Sequence, residues 1–422
     1  MISDSPLATA ANAAGCAAVG DADLTQVGDD VVQLDNVVLL GLAAELGKVT
    51  CTHSDGWSAA TVGDQLGVAD RHRWIVERWL VDLSAAGLVQ VAEVDSDVAA
   101  NDIATSASTG ITYRALHPPS RSELVATRRR MEQARCRLGY RPELAELLLR
   151  SLHLVPRLLA DEVDVQAVLY PGGDPTTAEA VYGDNATSRY LNAAAAEVTS
   201  ATVGASSRPL RALEVGAGIG ATTQALLPAA GPAEFYLYTD LSPFFLDAAR
   251  RRFAEHSGPA GPLRYGIIDI CGDLAAQLHR VFAGSVRQPA TGLDLIVAAT
   301  MAHNATHVGR FLGQLRQLLA PGGRLVLIES VVERSQSLTL MPFALSSRTG
   351  TELPPRFDER AGTHRTYLSD VEWHRHLAAA GLHLEVDLPG LDHPLRSTSQ
   401  RLLVATRPRP QPPEEYHVEP AC

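Results

Sequence analysis

The sequence has little lysine, few cysteines and no long apolar run. Lys48 is the only lysine among 422 residues, and the formal net charge is −12 because 48 acidic side chains outnumber 36 basic ones. A general nucleic-acid binder needs a basic surface, so no nucleic-acid partner is expected for the chain as a whole. An apolar run must reach about 18–20 residues to cross a bilayer, so its lack argues against a membrane-spanning protein.

The cysteines are scattered and form no Cys-x-x-Cys pair; they are Cys16, Cys51, Cys136, Cys271 and Cys422. This spacing argues against a disulfide scaffold or a structural zinc site, and it fits a reducing cytosol. The start of the chain also lacks the basic and continuous apolar segments of a secretion signal. We therefore expect a cytoplasmic protein.

The remaining composition is typical of folded domains, with 46% hydrophobic and 20% charged residues. The chain exceeds the usual single domain of about 100–200 residues, so several domains are expected. Shifts in composition and periodicity predict five segments: a disordered tail (1–29), a winged-helix-like module (30–118), a helical lid or linker (119–200), an α/β domain (201–408) and a proline-rich tail (409–422).

In residues 30–118, three predicted helices precede two β-rich stretches, which is the order of a winged helix. The third helix, at about residues 70–86, carries three arginines where a DNA-reading helix would lie: Arg71, Arg73 and Arg78. The same helix carries Glu77, Asp82 and two tryptophans that favour burial. Covering the substrate, or forming a homodimer, is therefore a better use of this module than DNA binding.

Residues 119–200 carry apolar side chains at three- and four-residue spacing, so mainly helices are expected. Arg128, Arg129 and Arg130 are consecutive and point in different directions on a helix, which is typical of a solvated face. A contact with an acidic partner protein is the alternative.

From residue 210 onward, strand-like and helix-like segments alternate, which is typical of a parallel sheet covered by helices on both faces. The predicted strands cover residues 210–215, 234–239, 263–268, 293–299, 324–329, 382–387 and 401–406. The last two suit an antiparallel hairpin at the sheet edge. The predicted fold class is α/β, with a Rossmann-like seven-stranded sheet.

A glycine-rich loop closes the first of these strands and opens a helix. Gly216, Gly218 and Gly220 follow Glu214 there, and glycines allow a tight turn and a close approach of the backbone to a ligand. The pattern alone also fits a dinucleotide, whose pyrophosphate would lie at the helix N-terminus.

Acidic residues after the next two strands favour S-adenosylmethionine over a dinucleotide. Asp240 ends the second strand, where a carboxylate accepts the ribose hydroxyls of either cofactor. Asp269 follows the third strand, where a carboxylate accepts the adenine amino group. Either aspartate alone can be a helix cap, but together with Glu214 they predict S-adenosylmethionine as the cofactor. Leu241 and Ile270, directly after the two aspartates, are expected to bind it too.

This region resembles a class I S-adenosylmethionine-dependent methyltransferase, and more closely the C-methyltransferase domains of polyketide synthases. The resemblance covers roughly residues 160–408 and is carried by these segments: 168–173, 181–184, 189–192, the glycine loop, 238–242, 325–329 and 372–373. It implies that residues 201–408 form the methyltransferase domain, with a role in polyketide or nonribosomal peptide biosynthesis. Residues 30–116 resemble only loosely the small helical domains ahead of such methyltransferases.

The chemical site is predicted where the fourth and fifth strands end, because ligands bind there in open α/β sheets. His303 follows the fourth strand and Glu329 ends the fifth, and neighbouring strands lie about 4.8 Å apart, so the two side chains can meet. Methyl transfer to carbon needs a carbanion or enolate. A neutral imidazole can remove the proton, and a carboxylate on its other nitrogen fixes the tautomer. The resemblance implies the same two roles.

Two features of this loop leave alternatives open. The family usually reads His-Ala-Thr, whereas residues 303–306 of this chain read His-Asn-Ala-Thr, with one additional residue. His303 and His307 are four residues apart and can ligate a metal together with Glu329, although the expected chemistry needs none.

Two tyrosines, Tyr182 and Tyr190, are further catalytic candidates, because they match the segment that covers the site in the family. A phenol there can donate a hydrogen bond to an enolate oxygen, or it can pack within the lid.

The predicted function is C-methylation of an acidic carbon, such as the α-carbon of a β-ketoacyl thioester; the thioester follows from the resemblance alone. A free-standing chain would meet an acyl carrier protein in trans, and Arg128–Arg130 is the candidate contact for that acidic partner. The alternatives are a small-molecule O- or N-methyltransferase and a cofactor-binding regulator without catalysis.

Overall fold

The computed structural model describes residues 5–20, 22–50, 56–94, 111–174, 176–256, 263–283, 292–346 and 356–410. The helices ahead of the large sheet are α1 (Pro6–Val19), α2 (Val27–Thr50), α3 (Ala59–Gln65), α4 (Arg73–Ala85), α5 (Arg121–Arg137), α6 (Pro142–Leu159), α7 (Val165–Leu169), α8 (Thr176–Tyr182) and α9 (Ala186–Gly204). Three short strands lie among them: β1 (Trp57–Ser58), β2 (Gln90–Val94) and β3 (Ile111–Arg114). None of the helices in these ranges is both long and apolar enough to cross a membrane.

A seven-stranded sheet forms the centre of the C-terminal half. Its strands are β4 (Arg211–Val215), β5 (Phe235–Asp240), β6 (Leu263–Ile267), β7 (Leu293–Ala299), β8 (Leu319–Ser330), β9 (His383–Leu388) and β10 (Gln400–Thr406). Their order is β6-β5-β4-β7-β8-β10-β9. Only β10 runs antiparallel to its neighbours β8 and β9. The predicted α/β sheet with an antiparallel pair at one edge is confirmed.

Helices cover both faces of this sheet. They are α10 (Ala221–Ala230), α11 (Pro243–Arg252), α12 (Leu274–Val281), α13 (Val308–Leu318), α14 (Met341–Leu345) and α15 (Asp370–Ala379). Successive strand residues enter opposite cores because side chains alternate across a sheet. Tyr236 and Tyr238 of β5 belong to the core that includes α9, α10 and α11, whereas Leu237 belongs to the core with α12, α13 and α15.

The helix α1 corrects the prediction that residues 1–29 form a disordered tail. The Ser5 hydroxyl caps α1 by accepting a hydrogen bond from the Ala8 N–H at 3.0 Å. Small side chains then let α1 pack closely on α9: Ala8 is fully buried, and Gly15 lies against the ring of Tyr190. An alanine- and glycine-rich composition suggested disorder, but here it permits close helix packing.

The elements of the N-terminal module follow the predicted order as far as they are described. Helices α2, α3 and α4 precede β2 and β3, which pair antiparallel, and β1 pairs with the other edge of β3. Residues 95–110, between β2 and β3, lie outside the described residues, as do residues 411–422 of the predicted proline-rich tail. The winged-helix-like character of the module stays a prediction.

Helix α4 packs against the C-terminal half of the chain. Trp74 stacks on His364 with ring centroids 6.2 Å apart, and the Trp79 ring N–H donates to the Leu338 carbonyl at 3.0 Å. The arginines in and just before this helix are paired with carboxylates: Arg71 with Asp161, Arg73 with Asp64 and Asp70, and Arg78 with Asp82. These basic side chains are therefore engaged within the molecule.

The predicted helical segment 119–200 consists of helices α5 to α9. On α5, Arg128, Arg129 and Arg130 are all exposed, and Arg130 also donates a hydrogen bond to Gln33 of α2 at 3.1 Å. A contact of this surface with an acidic partner stays a prediction.

Candidate active site

A cavity of about 600 Å³ opens at the carboxyl ends of β4 to β8, the edge where open α/β sheets bind ligands. Residues of α9 and α14 also line it. Most of the predicted site residues line it: Gly216, Gly218, Asp240, Leu241, Asp269, Ile270 and His303. We call it the cofactor cavity.

The glycine loop has a backbone that favours glycine. The φ angles are +60° at Gly216, +58° at Gly218 and +77° at Gly220. A Cβ on Gly216 would lie 2.8 Å from the Met301 side chain, and one on Gly220 would lie 2.6 Å from the Phe253 ring. Gly220 itself does not line the cavity but is the N-cap residue directly before α10. At Gly216 and Gly218 the loop thus brings backbone without a side chain to the cavity wall.

Asp240 holds the glycine loop and faces the cavity. Its Oδ2 accepts the Gly218 N–H at 2.9 Å, and its Oδ1 accepts the Ser242 N–H at 2.8 Å. Burial raises the pKa of this carboxyl group, and the backbone donors oppose the rise. Because a carboxylate oxygen accepts more than one hydrogen bond, Asp240 retains acceptor capacity for hydroxyl groups of a ligand.

Asp269 lies at the exposed rim of the same cavity. Gln277 holds its backbone by accepting from the Asp269 N–H and donating to the Asp269 carbonyl, each at 2.8 Å. Its Oδ1 accepts the Cys271 N–H at 2.9 Å. With Leu241 and Ile270 nearby in the lining, this corner combines a carboxylate with apolar surface, which suits an adenine ring.

Glu214 does not line the cavity, which corrects the expectation that it binds the cofactor. The alternation of β4 turns its side chain toward α10, where Oε2 accepts the hydroxyls of Thr223 at 2.8 Å and Tyr236 at 2.6 Å. Burial raises the pKa of Glu214 to about 7, although the two hydroxyl donors oppose the rise. Glu214 therefore supports the strand and helix behind the glycine loop.

His303 and Glu329 lie together as the spacing predicted. Glu329 Oε2 lies 3.0 Å from Nδ1 of His303, and Oε1 accepts the His303 backbone N–H at 3.2 Å. Glu329 is fully buried, and His303 is 5% exposed. The Tyr367 ring packs edge-on against the imidazole, with centroids 5.0 Å apart. Since the carboxylate occupies Nδ1, Nε2 is the nitrogen left for a ligand.

The backbone around β7 and β8 explains why these two side chains meet. The strands pair in parallel up to Ala299 and Ile328. Thr300 then adopts φ +53° and donates its N–H to the Ile328 carbonyl at 2.6 Å. This turn leads directly into a short 3₁₀ helix, Ala302–Asn304, which places His303 beside the end of β8.

His307 does not join this pair. Its Nδ1 accepts the Arg310 N–H at 3.2 Å and so caps α13. Within the described ranges, no group of three His, Cys, Asp or Glu side chains is arranged to hold a metal ion. The His303, His307 and Glu329 metal alternative therefore has no support in the geometry.

Tyr190 does not line the cavity, which corrects its assignment as a catalytic candidate. Its hydroxyl donates to Asn12 of α1, and its ring lies 4.8 Å from that of His393, centroid to centroid. Helical spacing places other α9 residues on the cavity side, including Leu191 and Asn192. The side chain of Tyr182, the other candidate, lies outside the described residues.

The lining residues that sequence reasoning missed include Met341, Tyr367 and Gln400. Tyr367 lies in an irregular segment before α15, where no periodicity marks it. Gln400 begins β10 and pairs with Ser330 at the carboxyl end of β8. A sequence argument that placed the antiparallel strand beside the fifth strand would have found Gln400.

A smaller cavity of about 150 Å³, which we call the apolar chamber, adjoins the cofactor cavity. Both are lined by Ser330, Met341, Tyr367 and Gln400. Helices α2 and α6 supply five of the apolar side chains that line it: Val31, Leu34, Leu144, Leu147 and Leu148. The chamber therefore starts at Tyr367, next to His303.

Comparison with known proteins supports the assignment of the fold. Residues 213–325 match a family described as a methyltransferase domain. The pyochelin synthetase PchF of Pseudomonas aeruginosa is 28% identical over 365 residues, which cover 83% of this chain and 18% of that protein. The chain thus spans less than a fifth of the length of this relative.

Two solved structures are similar over nearly the whole chain. The CurJ carbon methyltransferase has a TM-score of 0.75 at 22% identity, covering 95% of this chain and 98% of that chain. The CMeT domain of the citrinin polyketide synthase has a TM-score of 0.69 at 17% identity, covering 96% and 97%. At these identities the similarity concerns the fold.

The family match identifies a methyltransferase domain at residues 213–325, and the sheet order and the glycine loop are those of the class I S-adenosylmethionine-dependent methyltransferase fold. Within that class, it resembles the carbon methyltransferase domains of polyketide synthases. Its cofactor is S-adenosylmethionine, and the cofactor cavity fits that molecule: Gly216 and Gly218 offer bare backbone, and Asp240 and Asp269 offer carboxylates.

Proposed function

We propose that this methyltransferase acts on an acidic carbon, the α-carbon of a β-ketoacyl thioester, in natural-product biosynthesis. The observation that carries the proposal is the buried pair of His303 and Glu329, of which His303 lines the cofactor cavity. A carbon nucleophile must lose a proton before it attacks a methyl group, and this pair is built as a general base.

In the proposed mechanism, Glu329 holds His303 with a proton on Nδ1 and a lone pair on Nε2. Nε2 removes the proton from the α-carbon of the substrate, and the C–H electrons form an enolate. S-adenosylmethionine, when bound, supplies the methyl group as an electrophile, and its sulfonium becomes a thioether as the new C–C bond forms. His303 keeps the abstracted proton as an imidazolium, which the Glu329 carboxylate stabilises.

The apolar chamber supports an acyl substrate. It adjoins the lining beside His303 and is walled by leucines of α2 and α6, so it can take the apolar part of an acyl chain. The similar proteins named above include a synthetase and a polyketide synthase domain, which favours an acyl group carried as a thioester. We further propose that an acidic acyl carrier protein, acting in trans, contacts the exposed Arg128 and Arg129.

The test uses S-adenosylmethionine labelled with carbon-13 in the methyl group and a panel of β-ketoacyl pantetheine thioesters. We expect label on the α-carbon, located by NMR and mass spectrometry, and its loss in His303→Ala. The matched control is His307→Ala, which removes a histidine four residues away that does not line the cavity.

Other outcomes would replace the proposal. Label on oxygen or nitrogen would indicate a small-molecule O- or N-methyltransferase. Tight cofactor binding without transfer to any of these substrates would indicate a regulator.

A further inference from the structure

We infer that Arg360 is a positioning residue for His303, because its guanidinium group holds the loop that carries this histidine. The inference rests on the proposed role of His303 as the base.

Arg360 is fully buried and donates to three backbone carbonyls. Its NH1 group donates to His303 at 2.6 Å and to Thr366 at 2.9 Å, and its NH2 group donates to Ala305 at 2.9 Å. One guanidinium group therefore binds the carbonyls on both sides of Asn304. This is the loop that holds one residue more than the His-Ala-Thr pattern.

The third carbonyl extends the contact to the other side of the imidazole. Thr366 directly precedes Tyr367, whose ring packs edge-on against His303. Arg360 thus fixes the backbone that carries His303 and also the backbone next to the ring that packs on it. The Glu333 carboxylate supports the same segment by accepting the N–H groups of Thr366 at 2.7 Å and Tyr367 at 2.8 Å.

The negative charge of Asp358 offsets the free-energy cost of burying the positive charge of Arg360. The carboxylate accepts Nε at 2.8 Å and NH2 at 2.7 Å, and it also accepts the Val308 N–H at 3.3 Å. Burial by itself would raise the pKa of Asp358, but the hydrogen bonds and charge of Arg360 lower the pKa overall. The ion pair is therefore charged at neutral pH and leaves the outer N–H groups of Arg360 for the loop.

Lysine cannot reproduce this arrangement. A guanidinium group has five donors in a rigid planar fork, whereas an ammonium group is a compact point charge on a flexible stem. Displacement of a base by about 1 Å can cost roughly 100-fold in rate. The loss of the fork is expected to displace His303 without altering the cofactor cavity wall at β4, β5 and β6.

The experiment compares Arg360→Lys with Arg407→Lys in the full chain. Arg407 is a matched control, because its NH1 group also donates to carbonyls, those of Leu319 at 2.6 Å and Arg316 at 3.2 Å, without lining either cavity. Two rates are measured, and each is divided by the concentration of cofactor-binding sites. The first is the rate of methyl transfer. The second is the rate of deuterium uptake at the α-carbon of a β-ketoacyl pantetheine thioester with S-adenosylhomocysteine bound.

We expect Arg360→Lys to lower kcat and the deuterium uptake rate roughly 10- to 100-fold, with cofactor affinity within about twofold of wild type. Arg407→Lys should leave both rates unchanged. In a His303→Ala background, Arg360→Lys should cause no further loss, because Arg360 acts through His303. Asp358→Asn serves as a second variant if Arg360→Lys fails to fold, with a loss of kcat in the same direction.

Three outcomes overturn the inference. The inference is overturned if Arg360→Lys leaves both rates unchanged while wild type is active. It is also overturned if Arg360→Lys causes an equal loss of rate in the presence and in the absence of His303. A parallel loss of cofactor affinity would indicate a merely structural role. If wild type neither exchanges the α-hydrogen nor methylates the thioesters, the proposed function itself is wrong, and the inference falls with it.

Discussion

Glu329 decides which nitrogen of His303 faces the cavity, because its carboxylate lies 3.0 Å from Nδ1. A carboxylate only accepts hydrogen bonds, so it requires the proton to lie on Nδ1. An amide in the same place can donate as well as accept, and it therefore no longer enforces the lone pair on Nε2.

Glu329→Gln is expected to lower kcat by roughly 10²- to 10⁴-fold, because the wrong tautomer disables the base in comparable carboxylate-oriented histidines. Affinity for S-adenosylmethionine, measured by calorimetry, should stay within about twofold, since Glu329 does not line the cofactor cavity. Glu234→Gln is the control, because Glu234 pairs with Arg211 near the amino ends of β5 and β4, away from the cavity at their carboxyl ends. Full activity in Glu329→Gln would contradict the assigned role.

Glu214 predicts a specific dependence of stability on pH. Burial raises its pKa to about 7, whereas the ordinary value is 4.5. Between these values the folded state binds a proton that the unfolded state has lost, so the free energy of unfolding falls as the pH rises. Glu214→Gln keeps an acceptor for Thr223 and Tyr236 but cannot ionise, so this variant should lack that decline.

The measurement is urea unfolding of wild type and Glu214→Gln at several pH values from about 4.5 to 8. Relative to wild type, the stability of the variant should rise across this interval by up to about 3 kcal/mol, the energy of a shift of this size. A difference in unfolding free energy that does not change with pH would contradict the raised pKa.

At the scale of secondary structure, the contact between α1 and α9 depends on the absence of side chains. A Cβ on Gly15 would lie 2.7 Å from the Tyr190 ring and 3.0 Å from the Tyr190 carbonyl oxygen. The ring is itself held by Asn12 and His393, so it has little freedom to move away. The backbone of α9 therefore fixes the distance at which α1 packs.

Gly15→Ala should lower the free energy of unfolding by about 1–3 kcal/mol, the usual cost of overpacking. Gly313→Ala in α13 is the matched control, because nothing lies within 4 Å of the added Cβ. There the higher helix propensity of alanine should raise stability by about 0.5–1 kcal/mol. Thermal and urea unfolding give both values; equal effects of the two substitutions would show that α1 does not pack as described.

At the scale of the whole molecule, the apolar chamber is formed jointly by distant parts of the chain. Leucines of α2 and α6 form one wall, and residues near the ends of β8 and β10 form the other. Neither half of the chain encloses this volume by itself. The N-terminal helices therefore contribute to the site, which is consistent with the expected substrate-covering role of the N-terminal module.

Leu147→Phe, which places a larger side chain in the chamber wall, is expected to select against long acyl chains. We expect kcat/KM for a β-ketoacyl thioester of about eight carbons to fall about tenfold or more, with little change for acetoacetyl pantetheine, because lost methylene contacts cost about 1–3 kcal/mol. Val125→Phe on the exposed face of α5 is the control. An equal fall for both chain lengths would show that the chamber does not hold the acyl chain.

The strands, the glycine loop and the proximity of His303 to Glu329 could be predicted because each has a local signal. Alternation of strand and helix patterns locates the seven strands, and the topology rule for open α/β sheets places His303 and Glu329 at one edge. The error at Glu214 arose because side chains alternate between the two faces of a strand. An error of one residue in the assumed register therefore reverses the face to which a side chain points. The error at Tyr190 has a similar cause, because neighbouring residues of a helix point in different directions and only some of them face the cavity.

The sequence by itself determined the α/β class, the cofactor and the meeting of His303 with Glu329, because period, glycine positions and strand ends are local properties. Only the tertiary structure decided that residues 6–19 form a packed helix, that Tyr367 rather than Tyr190 lies beside the imidazole, and that Arg360 holds the His303 loop. These contacts join residues far apart in the chain, and irregular segments such as residues 356–369 carry no periodic signal from which their partners can be predicted.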